Sequence, residues 1–200
     1  MAKIVINAGH TKLGVGTGAV GKLYESIETR KIAYELMKQL ADTKHEVIPA
    51  VFDRHENNLK AAVEVANNNK ADVFISIHLN AGGGHGTEVY TWKARKIDRA
   101  IKLCNNLSAL GFTNRGVKDG SSLYVIKNTK CEAILIEVCF VGSDIDFSLF
   151  HTHGYEKLAK AIKDSLWVFF CVIMFTKRSK KFSKSIDNIL KINIIIGVER

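Results

Sequence analysis

The stretch ADVFISIHLNAGGG, residues 71–84, is a run of β-branched and aromatic residues that reaches a histidine and then breaks into glycines. A nearly continuous apolar run closed by turn residues is the pattern of a strand covered on both faces, as in a parallel sheet. Such sheets place their sites outside the carboxyl ends of the strands, where His78 falls.

Reading outward, KIVINAGH at 3–10 repeats the plan and ends in His10. Ile32, Ala33, Leu36, Met37 and Leu40 follow at helical spacing. HEVIPAV at 45–51 predicts a second strand, and the alanine- and asparagine-rich residues 55–68 a second helix. Beyond the glycines come TEVYTW, a helix over 95–110, the strand candidates SLYVIK at 122–127 and AILIEVCF at 133–140, and a last helix, GYEKLAKAIKDSL, at 154–166. This alternation predicts an α/β fold: a single three-layer domain over residues 1–166, with a mostly parallel sheet flanked by helices.

From Trp167 the rhythm stops, and residues 167–200 read as an atypical C-terminal tail. WVFFCVIMF is wholly apolar and TKRSKKFSK basic. The apolar run is too short for a transmembrane span, which needs about 20 residues; peripheral membrane contact by the tail is left open. The tail also explains much of the +9 net charge: its seven Lys and Arg against two acids give +5, leaving 22 − 18 = +4 for the rest. So mild a surplus needs no nucleic-acid partner. The four cysteines form no CxxC pair, which excludes a zinc knuckle and an obvious disulfide framework. MAKIVINAGH lacks the features of a secretory signal, and the expectation is a chain made in the cytoplasm, monomeric, and acting after release.

Two histidines delivered to one sheet edge point to a divalent metal, zinc first. Catalytic zinc takes three protein ligands, with two His and one Glu a known set. LYESIE supplies Glu25 and Glu28 at the start of the first helix, and spacing alone leaves the choice between them open. Glu137 sits inside the apolar run AILIEVCF, where an ionised carboxylate must be compensated; beside a metal it is a natural general base. GVGTGAVG contains a G-x-G-x-x-G at Gly16, Gly18 and Gly21, so a nucleotide-binding domain is the alternative, although about eight residues separate these glycines from the strand. Arg54, Asn80 in SIHLNA and His85 in GGGHG are candidates to line a substrate cleft.

Taken in order, IVINAGH, the Glu25 region, SIHLNA, NRGVKDGSSLYVIKNTK and ILIEVCFVGSDID resemble the zinc-dependent N-acetylmuramoyl-L-alanine amidases of the amidase-3 family. The resemblance covers roughly residues 1–166. It implies one zinc held by His10, Glu25 and His78, Glu137 as the catalytic glutamate, and peptidoglycan as substrate, cut between N-acetylmuramic acid and L-alanine. It settles Glu25 over Glu28 and implies a phage endolysin or autolysin. Glu132 and Ser143 depart from the proline and asparagine that the family often has there. A non-catalytic peptidoglycan-binding module is a further alternative.

Overall fold

The computed structural model describes residues 1–166; the predicted tail, 167–200, lies outside the described residues. The elements are β1 (Lys3–Ala8), α1 (Glu25–Leu40), β2 (Glu46–Ala50), α2 (Asn58–Asn68), β3 (Val73–Asn80), β4 (Thr87–Thr91), α3 (Asp98–Ser108), β5 (Asn114–Asp119), α4 (Tyr124–Asn128), β6 (Glu132–Phe140) and α5 (Asp144–Leu166). One six-stranded sheet runs β2-β1-β3-β6-β4-β5. β2, β1, β3 and β6 are parallel, as predicted. β4 reverses against β6 and carries β5 parallel to itself, so the sheet is mixed.

Two expectations need correction. SLYVIK is no strand: Leu123, Val125 and Ile126 fall in and around α4 and pack with Ala62, Val63 and Leu135. A short apolar run does not by itself distinguish a strand from a helix segment. The strand there is β5, NRGVKD, whose polar residues suit the outermost position in the sheet. The last helix begins at Asp144 rather than 154, and Gly154 interrupts it with φ 64° and ψ 177°. Its first half, DIDFSLFHTH, is rich in residues of modest helix propensity, which hid it. Ser143 starts it as an N-cap: its Oγ accepts from the Asp146 N–H at 3.2 Å, so the serine departure is absorbed locally.

Side chains alternate between the faces of a sheet, and the strand register shows which of them share a face. On the face covered by α2 and α4, each central strand begins apolar and ends polar. Val5 is followed by Asn7, Phe74 by Ser76 and His78, and Leu135 by Glu137. The apolar ends anchor the layer, with a large side chain contributing about 1.5–3 kcal/mol when fully buried. The polar ends gather at the carboxyl edge. Pro49 lies on β2, at the opposite margin from β5.

Candidate metal centre

His10 leaves β1 in the left-handed region, with φ 65°, a conformation uncommon outside glycine that histidine tolerates better than most residues. Arg30 of α1, itself buried, fixes that turn. Its Nη2 donates to the His10 carbonyl at 3.0 Å and to the Phe52 carbonyl at 2.5 Å. The rim loop then folds back over the centre. Gly18 has φ 78°, and a Cβ there would stand 2.7 Å from Glu25 Oε2 and 2.8 Å from His10 Cδ2, so only glycine lets the loop pass.

Glu25, the first residue of α1, points between the two imidazoles. Its Oε1 is 3.1 Å from His10 Nε2 and 3.1 Å from His78 Nδ1. One ligand atom from each residue lies within 4.8 Å of the others, and this is the one such group among the described residues. The second nitrogen of each ring is engaged elsewhere: His10 Nδ1 with the Gly16 carbonyl at 3.1 Å, His78 Nε2 with Ser76 Oγ at 3.0 Å. A ring that donates there turns a bare nitrogen toward Glu25. Two nitrogens and one carboxylate oxygen facing one space fit a divalent cation such as zinc. The His10 side chain is 32% exposed against 4% for Glu25, so the centre opens to solvent on the His10 side.

Burial alone would raise the Glu25 carboxyl, but in the metal-free chain the His10 and His78 rings 3.1 Å away and the N–H of Ala19 hold it well below the usual carboxylate range. Burial would lower the pKa of His10, yet the Glu25 carboxylate outweighs it and the pKa rises. Glu137 is the register partner of His78 on β6, and its Oε2 has no hydrogen-bond partner among the described residues. Burial, then the charges of Glu25 and Glu88, push the Glu137 carboxyl up to about 8. Among the described residues no cation compensates this acid through a direct hydrogen bond, which is the condition expected beside a metal.

Glu28 is turned away, accepting from Tyr155 Oη at 2.6 Å. Asn80 lies near Glu137 but is engaged, its Nδ2 donating to Glu88 Oε1 at 2.8 Å. Arg54 and His85 are exposed on loops after β2 and β3. The G-x-G-x-x-G glycines close no tight strand-to-helix turn, since residues 9–24 separate β1 from α1. Sequence reasoning passed over Glu88, which faces Glu137 across the antiparallel pair and takes Arg115 Nε at 2.7 Å and Tyr90 Oη at 2.8 Å. Its signal was an acid alternating with Val89 in TEVYT.

The sheet thus carries a His-Glu-His cluster at its carboxyl edge and a half-buried acid one strand away. Residues 4–167 match the N-acetylmuramoyl-L-alanine amidase family known as amidase-3, and the chain belongs to it. An uncharacterised protein of Clostridium perfringens is 32% identical over 174 residues, covering 82% of this chain and 51% of that one. The chain thus spans about half the length of that curated relative. The N-acetylmuramoyl-L-alanine amidase CwlM of Bacillus licheniformis is 31% identical over 153 residues, 73% of this chain and 59% of that one. Among solved structures, the catalytic domain of CwlV, an N-acetylmuramoyl-L-alanine amidase from Bacillus (Paenibacillus) polymyxa var. colistinus, superposes with a TM-score of 0.75 at 32% identity, covering 86% of this chain and 99% of that one. The catalytic domain of an endolysin targeting Clostridia difficile gives 0.75 at 28% identity, covering 82% and 96%.

Proposed function

We propose that this chain hydrolyses the amide between N-acetylmuramic acid and the first L-alanine of the stem peptide in bacterial peptidoglycan, with one zinc held by His10, Glu25 and His78. The observation that carries the reading is the convergence of three ligand atoms within 4.8 Å beside Glu137, in a chain of the amidase-3 family. Zinc, when bound, supplies a Lewis acid that polarises the scissile carbonyl and acidifies a water. Glu137 takes a proton from that water as the oxygen bonds to the lactyl carbonyl carbon. It returns the proton to the alanine nitrogen as the C–N bond breaks. Burial and the neighbouring acids raise the Glu137 carboxyl and a bound cation beside it would lower it again, which suits it to take and return a proton near neutral pH. Arg115, anchored by Glu88 and over the Phe140 ring at 4.9 Å, sets a positive charge on the same side of the sheet as the reacting groups.

The chain acts on the cell wall after release. No helix among the described residues is long and apolar enough to cross a membrane. The test is incubation with purified cell walls. New N-terminal alanine should appear, stop with a chelator and return with zinc. Release of reducing sugar ends without new alanine would refute the reading.

A further inference from the structure

We infer that Asn7 and Ser76 are positioning residues that lock the tautomer of His78, so that a bare Nδ1 is presented to the metal centre. The inference rests on the reading of His10, Glu25 and His78 as zinc ligands. It starts from a group with no freedom, the Ala50 carbonyl at the end of β2. Asn7 Nδ2 lies 2.7 Å from that oxygen and 3.2 Å from the Ala8 carbonyl. Carbonyls only accept, so the amide nitrogen of Asn7 must face them and its Oδ1 must face β3.

There Ser76 Oγ stands 2.6 Å from Asn7 Oδ1. An amide oxygen also only accepts, so the single hydroxyl proton of Ser76 is committed to Asn7. Ser76 can then offer His78 Nε2, 3.0 Å away, nothing but a lone pair. Nε2 must carry the hydrogen. A neutral imidazole has one N–H, so when a cation rather than a proton lies between Nδ1 and Glu25 Oε1, 3.1 Å apart, Nδ1 is left bare; without the cation Glu25, which also only accepts, competes with Ser76 for the same hydrogen. From the Ala50 carbonyl to Nε2, each orientation is set by the one before it, across three strands.

The backbone builds this relay. Asn7 and Ser76 are register partners, and Ser76 and His78 are two apart on one face of β3. Asn7 is 5% exposed, Ser76 0% and His78 9%, so bulk water cannot replace a missing member. His10 is held differently, by a backbone carbonyl of the rim loop that no side-chain substitution removes. His78 is therefore the ligand whose protonation geometry depends on residue identity. Partners of this kind are worth about 10–100-fold in metal affinity.

The experiment uses the full chain. Zinc affinity is measured by competition with a chromophoric chelator for wild type, Ser76→Ala, Ser76→Thr and Asn7→Leu. Imidazole ¹⁵N spectra of metal-free Glu25→Ala, which lacks the competing acceptor, read at alkaline pH which nitrogen of His78 carries the hydrogen. The expected results are Nε2–H in Glu25→Ala, a loss of about 10–100-fold in zinc affinity for Ser76→Ala, and near-recovery for Ser76→Thr. With Asn7→Leu added to Glu25→Ala the freed hydroxyl can turn and donate to the ring, so a share of Nδ1–H should appear. The inference is overturned by a folded Ser76→Ala chain binding zinc as the wild type does, or by an Nδ1–H tautomer in Glu25→Ala. If Ser76→Ala does not fold, the Glu25→Ala spectra alone decide. A wild type that binds no zinc sinks the metal reading instead, and the spectra still decide the tautomer.

Discussion

Replacing Gly9 by alanine should disable the metal centre while leaving the backbone free to fold. Gly9 is absent from the positive-φ positions, so alanine suits its conformation. The obstacle is the His78 ring: an added Cβ would lie 2.4 Å from Cε1, 2.6 Å from Nδ1 and 2.7 Å from Nε2. Ordinary carbon contacts begin at about 3.5 Å, so the ring must retreat by about 1 Å. It has little room to do so, with Nε2 held 3.0 Å from Ser76 Oγ. A misplacement of that size costs on the order of 10²-fold in catalysis, about 2.7 kcal/mol. Zinc titration and wall hydrolysis should therefore both fall in Gly9→Ala. Gly83→Ala is the control, because a Cβ there meets nothing within 4 Å and Gly83 has no positive φ. A Gly9→Ala chain with wild-type zinc affinity would refute the placement of His78 in the centre.

Glu137→Gln should lower kcat by about 10²–10⁴-fold, with zinc affinity within a few-fold of wild type by titration. In the metal-free protein its carboxyl rises from 4.5 to about 8, so the folded state keeps a proton that the unfolded chain releases between those values. That contribution to stability is full below pH 4.5, is lost as pH climbs toward 8, and is flat beyond. Urea unfolding at pH 5.5 and 8 should show a smaller fall for Glu137→Gln than for wild type. Removing metal with a chelator should abolish hydrolysis and lower Tm; free zinc at a thousandfold its Kd stabilises by about 4 kcal/mol, readable as a concentration-dependent Tm. Asp146→Ala should destabilise by about 3 kcal/mol, because Asp146 Oδ2 accepts from Phe140 N at 2.8 Å and Gly86 N at 2.8 Å and both would be left buried without an acceptor; calorimetry should record a Tm lower by roughly 10 °C.

The parts of the centre legible beforehand were those whose local sequence is odd. His10 and His78 end apolar strands, and Glu137 interrupts one; an ionisable residue in such a run demands an explanation. Glu25 and Glu28 were inseparable by spacing, since both open the same helix. What parts them is Tyr155 of α5, distant in sequence, which takes Glu28. The relay through Asn7 and Ser76 was hidden for the same reason. Nothing local joins two ordinary polar residues until β1 is known to lie beside β3. Likewise β5 is a strand by its position at the rim of the sheet, whereas its letters read as a turn. Arg30 carries no local signal in ESIETRKIAYEL, and only the folded chain shows it closing the turn that carries His10.

An open sheet offers two free borders to strands from other molecules, and this one is awkward to extend at both. Pro49 removes a donor from one border, and β5 at the other is short and largely polar, NRGVKD. Borders of that kind resist runaway stacking of copies and keep the domain dispersed.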